Sequence, residues 1–292
     1  MHLLSISSLG DSQLDQLFAK SQDYALDPRN GLDRLAGRTI FNCFYENSTR
    51  TAMSFAQAAA RLGAQAITLS VEHSSVKKGE TLADTARTLG AMGPDALVLR
   101  HRQNGAAEEV AALVDCPVVN AGDGTNEHPT QALLDALTLR QHFGSLEGRT
   151  IAICGDILHS RVAHSNSMLL PRLGATVRLA GPPSLLPAGS NGLSLDQAIA
   201  GADAVMMLRV QRERLDEDLG DAPGEYLRLY GLTAERLALA APGAVVLHPG
   251  PMNRGVEIAD EVADLPGRSL ILRQVANGVA MRMAVLELLL AG

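Results

Sequence analysis

Thr39-Ile40-Phe41-Asn42-Cys43-Phe44, then Tyr45-Glu46-Asn47-Ser48-Thr49-Arg50-Thr51, then Ala52-Met53-Ser54-Phe55-Ala56-Gln57-Ala58-Ala59-Ala60-Arg61-Leu62, reads as strand, turn and helix. The first run is short and mainly apolar, as a buried strand would be. The last run has helical composition and is stopped by Gly63. Ser48 to Thr51 therefore fall at a helix N-terminus, where free N–H groups and the positive end of the helix dipole meet three hydroxyls and a guanidinium. That grouping suits a phosphate. Its bland counterpart is an ordinary hydroxyl cap beside a solvated arginine.

The same unit repeats outward from this point. Apolar runs at 65–70, 95–100, 117–120, 150–154, 175–179, 203–208 and 244–247 predict further strands. Helical patterns near 11–22, 51–62, 81–92, 106–114, 129–142, 161–173, 194–200 and 275–291 lie around them. Such alternation predicts an α/β protein with parallel sheets covered on both faces. Four strands in each half predict two doubly wound domains, 1–134 plus 275–292 and 135–274, with the active site in the crevice between them. The segments 181–193 and 211–231 are rich in Gly, Pro or charge and are expected to be loops, the second long enough for a lid.

Composition narrows the function. The chain has 292 residues and a formal net charge of −7, which disfavours a nucleic-acid partner and makes any local arginine cluster informative. Aromatics make up 3% with no Trp, so the core is expected to be aliphatic. Cys43, Cys116 and Cys154 are odd in number, widely spaced and free of any C-x-x-C pattern, which predicts buried thiols in a reducing compartment rather than disulfides or zinc. The start lacks the basic and apolar blocks of a signal peptide. No run reaches the ~18 apolar residues of a membrane span. A cytoplasmic protein is expected.

The polar residues that stand out fall where strands end. Ser48-Thr49-Arg50-Thr51 follows 39–44, Arg100-His101 ends 95–100, and His128-Pro129-Thr130-Gln131 follows 117–120. Gly155-Asp156 and Arg161 follow 150–154, Arg209-Val210-Gln211 ends 203–208, and His248-Pro249-Gly250-Pro251 ends 244–247. Ligands of open α/β sheets bind beyond the carboxyl ends of strands, and these groups imply small anionic substrates. A dinucleotide is excluded because no G-x-G-x-x-G is present. His159 and His164 are five apart rather than four, so no metal site is read there.

Together with Ser74-Ser75-Val76-Lys77-Lys78-Gly79-Glu80-Thr81, these motifs resemble, in order and spacing, the aspartate/ornithine carbamoyltransferase family over nearly the full length. The resemblance implies transfer of the carbamoyl group of carbamoyl phosphate to L-aspartate, a step of pyrimidine synthesis, without cofactor or metal. It implies that Ser48, Thr49, Arg50, Thr51, Ser74, Arg100, His128, Gln131, Gly250 and Pro251 bind carbamoyl phosphate. Lys78, Arg161, Arg209 and Gln211 are implied to bind aspartate. Thr49, Arg50, Arg100, His128 and Lys78 are implied to act in catalysis. Glu46 and Arg214 match positions that pair with site arginines, and Gly250-Pro251 matches a cis peptide. Ser74 and Lys78 are implied to come from a neighbouring subunit, which makes a homotrimer with shared active sites the working unit. Regulatory or dihydroorotase-like chains are candidate further partners. The rival within the family is ornithine carbamoyltransferase, which typically carries His-Cys-Leu-Pro where this chain has His248-Pro249-Gly250-Pro251. The rival outside enzymology is a non-catalytic assembly paralogue, which would be expected to have lost a site cation.

Overall fold

The computed structural model describes residues 1–70, 79–189, 193–210 and 224–291. The chain divides into two compact units, Met1–Leu137 with Val275–Gly292, and Thr138–Gln274.

In the first unit, β1 (Thr39–Phe44), β2 (Gln65–Ser70), β3 (Ala96–His101) and β4 (Val118–Asp123) form a parallel sheet in the order β2-β1-β3-β4. The chain leaves β1 for the β2 edge and then returns to the other side of β1. That places a switch point between β1 and β3, where open α/β sheets hold ligands. Phe44 pairs with Arg100 in this register. The helices are α1 (Asp11–Leu26), α2 (Thr49–Arg61), α3 (Leu82–Ala91), α4 (Ala106–Ala111) and the start of α5 (Pro129–Phe143). Cys43, Leu97, Leu99, Ala107, Val110 and Val118 build an aliphatic core. Leu3 adds a parallel bridge beside β4, its N–H donating to Val118 O at 2.9 Å.

The second unit repeats the plan. β5 (Thr150–Cys154), β6 (Thr176–Ala180), β7 (Ala204–Met207) and β8 (Val245–Leu247) are parallel in the order β6-β5-β7-β8, so its switch point lies between β5 and β7. α6 (Arg161–Arg172), α7 (Leu195–Ile199), α8 (Glu225–Tyr230), α9 (Ala234–Leu237) and α10 (Asp260–Ala263) accompany it. The core gathers Ala152, Cys154, Val205, Met207, Val246, Ile199 and Val262. At the strand ends the backbone is pinched tight. A Cβ on Gly181 would meet Gly155 O at 2.1 Å, and Gly155 has φ +129 with Leu208 O 3.0 Å from its own would-be Cβ. Only glycine fits at either place.

α11 (Ile271–Leu290) closes the chain. Among the described residues no helix is long and apolar enough to cross a membrane. In the first unit, Glu287 of α11 takes a 2.6 Å ion pair from Lys20 and a short hydrogen bond from the Tyr24 hydroxyl, both on α1.

The strands lie within a few residues of the apolar runs, with β4 running on to Asp123. Three differences are informative. α1 reaches Leu26 rather than Gln22, because Tyr24 is buried against α11. The expected loop 181–193 contains a 3-10 turn, Pro183–Leu185, whose Leu185 carbonyl accepts from Ile157 and Leu158. The expected loop 211–231 ends in α8, which buries Tyr226. Cys43 and Cys154 are buried, and burial pushes both thiols up to about 12, whereas Cys116 is half-buried.

Candidate functional site

Ser48 is the N-cap of α2, yet its side chain makes no capping bond. The first helical bond runs from Ala52 N to Ser48 O at 3.0 Å, so the amides of Thr49, Arg50 and Thr51 precede it. Thr49 and Arg50 are exposed, Ser48 is half-buried and Thr51 is buried. Four other helices, α3, α6, α7 and α9, carry a hydroxyl cap, whereas α4, α8 and α10 start at Gly105, Gly224 and Ala259, which have no capping side chain. Thr81, Ser160, Ser194 and Thr233 each accept an amide from their own helix. The α2 start thus keeps its donors and the dipole for something outside the helix.

The register of β1 and β3 puts Arg100 beside this start, and Tyr45 N donates to Arg100 O at 2.8 Å. Arg100 Nε lies 3.5 Å from Glu46 Oε2, and its Nη1 donates to Ala121 O at 3.4 Å. His101 follows. Its Nδ1 accepts from Gln103 N at 3.0 Å, and burial, then Arg102, lower its pKa, so it stands neutral with its proton on Nε2.

His128 is reached through a turn fixed by buried Asp123 at the end of β4. Asp123 accepts from Asn120 Nδ2 (2.8 Å), Glu127 N (3.1 Å), Gly105 N (2.8 Å) and Asn126 Nδ2 (3.0 Å). Gln131, one turn into α5, donates Nε2 to Asp135 Oδ1 at 2.8 Å. A carboxylate can only accept, so this bond settles the amide's orientation and turns the Gln131 carbonyl oxygen away as an acceptor.

Behind these groups lies a residue to which no motif assigns a role. Arg282 of α11 is fully buried, and burial lowers its pKa to about 10 while nearby Asp135 opposes the shift. It donates to Gly278 O at 3.2 Å and to Thr130 Oγ1 at 3.4 Å, and its guanidinium lies 5.0 Å from the Phe55 ring centre. A buried cation therefore joins α2, which begins at Thr49, to α5, which carries Gln131. Only its place in an apolar helix could have marked it in the sequence.

The second unit offers another group at its own switch point. Arg161 opens α6 after the Ser160 cap, and Arg209 follows β7; both are half-buried. Buried Asp156 accepts from His159 N at 3.1 Å and lies 3.0 Å from His159 Nδ1, fixing the turn before Arg161. Beyond β8, Gly250 has φ +71 and precedes a cis bond to Pro251.

The structure thus sets Ser48, Thr49, Arg50, Thr51, Arg100, His128 and Gln131 along one sheet's carboxyl edge. Arg161, Arg209, Gly250 and Pro251 lie along the other's. Ser74, Lys78, Gln211 and Arg214 lie outside the described residues. Among the described residues no three His, Cys, Asp or Glu side chains gather as a metal site.

Residues 1–141 match the family model for the aspartate/ornithine carbamoyltransferase carbamoyl-P binding domain, and residues 147–289 match that for its Asp/Orn binding domain. The chain is 56% identical over 297 residues to the aspartate carbamoyltransferase catalytic subunit of Granulibacter bethesdensis, covering 99% of this chain and 94% of that one. Among solved structures, aspartate transcarbamoylase from Trypanosoma cruzi in complex with carbamoyl phosphate and aspartate superposes with a TM-score of 0.87 at 33% identity, covering 99% and 96% of the two chains. Ornithine carbamoyltransferase from Pyrococcus furiosus gives 0.88 at 27% identity, covering 100% and 97%.

Proposed function

The chain belongs to the aspartate/ornithine carbamoyltransferase family, and from that membership we propose that it transfers the carbamoyl group of carbamoyl phosphate to the amine of L-aspartate. The products are N-carbamoyl-L-aspartate and phosphate, and the reaction serves pyrimidine biosynthesis. One observation carries the reading. The uncapped helix start at Ser48–Thr51 stands at a switch point beside Arg100, in a chain whose relatives are aspartate carbamoyltransferase catalytic subunits.

In this reading the amides and hydroxyls of Ser48 to Thr51, with Arg50, grip the phosphate. Arg100 bridges phosphate and carbonyl. Thr49, Arg100 and His128 polarise the carbonyl oxygen as the tetrahedral centre forms, each donor being worth about 10²–10³ in rate. Gln131 and the carbonyls around Gly250 and Pro251 receive the carbamoyl NH₂. Arg161 and Arg209, with Gln211, clamp the two carboxylates of aspartate, for which forked guanidinium groups are suited. The departing phosphate takes the amine's proton, and positioning supplies much of the acceleration. Three free thiols suit a reducing compartment such as the cytosol.

Fold does not separate aspartate from ornithine, since both kinds of relative superpose over the whole chain. Residue chemistry does. Pro249 stands where ornithine enzymes typically have Cys, and Arg209 suits an acid rather than an amine. Purified protein is expected to form carbamoyl-aspartate and phosphate from aspartate and to leave ornithine untouched; product formed only from ornithine overturns the reading.

Ser74 and Lys78 are proposed to serve a neighbouring subunit's site within a homotrimer. Arg50→Ala and Lys78→Ala proteins, each inactive, are then expected to regain partial activity when dissociated together and reassembled. Mixed trimers that stay inactive, with wild-type controls recovering, refute subunit sharing.

A further inference from the structure

Resting on the reading above, the carbonyls near Gly250 and the guanidinium of Arg209 meet different substrates, and one buried side chain stands behind both. Glu257 is completely buried. Its Oε1 accepts from Asn253 N at 2.5 Å and lies 3.2 Å from His248 Nε2. His248 Nδ1 accepts from Gly250 N at 2.9 Å, so that nitrogen bears no proton and Nε2 donates to Glu257. The His248 amide is held by Gln274 Oε1 at 2.9 Å. On the other side, Asn253 Nδ2 donates to the carbonyl of Val210, the residue after Arg209, at 3.2 Å. The Glu257 backbone is itself anchored: its carbonyl accepts Leu232 N at 3.0 Å, and Ala259 N returns a 3.0 Å bond to Leu232 O.

We propose that Glu257 is a positioning residue for the transfer reaction. Through His248 it fixes the 248–251 turn that receives the carbamoyl group, and through Asn253 it fixes the end of β7 that carries Arg209. The acceptor oxygen is what this role requires. Both bonds converge on Oε1, whereas Oε2 has no hydrogen-bond partner among the described residues. A glutamine can place its oxygen at Oε1, keep both bonds and leave its NH₂ where Oε2 makes none. A side chain cut to Cβ frees the His248 ring to turn and releases the Asn253 amide together.

The test is steady-state kinetics on Glu257→Ala, Glu257→Gln and Asn253→Ala, with inorganic phosphate affinity measured by calorimetry as a control in the other unit. Glu257→Ala is expected to lower kcat by about 10²-fold, as displacements near 1 Å do, and to raise KM for aspartate. Phosphate affinity should change less than about twofold, because the Ser48–Thr51 start is untouched. Glu257→Gln should return kcat to within about threefold of wild type, and Asn253→Ala should raise KM for aspartate while moving kcat less. A general packing defect would instead weaken phosphate binding as well and would not be rescued by Gln. A folded Glu257→Ala with wild-type kcat and KM overturns the proposal, as does a Gln variant as impaired as the Ala variant. If Glu257→Ala does not fold, Asn253→Ala decides, and an unchanged aspartate KM overturns the proposal. Failure of the functional reading shows separately, as a wild-type protein that makes no carbamoyl-aspartate.

Discussion

Two helices of this molecule begin at a serine beside a switch point, and they use it differently. Ser160 accepts the amide of Ala163 at 3.1 Å and closes the start of α6, so what that start presents outward is the side chain of Arg161. Ser48, at φ −155 and ψ 80, makes no such bond, and the start of α2 presents its own backbone donors. A capped start holds its helix together and, on the proposed reading, carries a guanidinium toward a carboxylate. An uncapped one forgoes that local stabilisation, and on the same reading its amides would meet a phosphate.

The comparison can be broken most decisively at the arginines. Arg50→Ala is expected to reduce kcat/KM for carbamoyl phosphate by about 10²–10³-fold. Arg161→Ala should leave phosphate affinity intact and raise KM for aspartate by about 10- to 100-fold, the worth of a charge-assisted hydrogen bond. Initial rates with each substrate varied in turn check both, and crossed effects would erase the distinction. The serines give a smaller and inverted pattern. Ser160→Ala should destabilise the protein by about 1 kcal/mol in urea unfolding with little change in phosphate affinity. Ser48→Ala should leave the urea midpoint within error and weaken phosphate binding. Equal stability losses at both positions would mean that the two starts are alike after all.

The smallest expected effect is on pH. His2, His101 and His142 all titrate below the ordinary 6.5, in each case chiefly through burial. The folded chain then binds fewer protons than the unfolded one just below that value. Stability should be level above pH 6.5 and should fall as pH drops through 6.5 toward the lowered values. His101 belongs to the edge that holds the α2 start, and protonating its Nδ1 would cost the Gln103 amide its acceptor. His101→Asn should flatten the urea-midpoint profile between pH 7.5 and 5.5, which the wild-type profile measured alongside will show.

Much of the fold is legible because the strands β3, β5, β7 and β8 are short, mainly apolar runs buried on both faces, while the edge strands β2 and β6 are more polar and partly exposed. The places where polar residues break those runs could be read in the same way, which is why Arg100, His128, Arg161 and Arg209 stand out before any geometry is known. Legibility fails where partners are far apart in sequence. Tyr24 extends α1 because Glu287, 263 residues away, receives its hydroxyl. α8 hides in a segment of glycine and charge, and it is held by the burial of Tyr226 and by the Arg236 guanidinium, which donates to the Leu227, Arg228, Leu229 and Gly231 carbonyls. Arg282 and Thr130 meet across 152 residues, and nothing local marks the arginine as other than a charge on an amphipathic helix. Glu257 is silent for a different reason: its partners, the Asn253 amide and the His248 ring, are only four and nine residues away, but they meet in an irregular turn that no helix or strand period describes.

The bond from Gln131 to Asp135 has a consequence for selectivity. Because that amide cannot flip without turning its oxygen toward the Asp135 carboxylate, the proposed reading makes its oxygen a permanent question put to the incoming acyl group. Acetyl phosphate would fill the same volume but offer a methyl where carbamoyl phosphate offers N–H, stranding a buried acceptor against carbon. Rejection of such a look-alike needs no steric barrier, only an oxygen that stays unanswered.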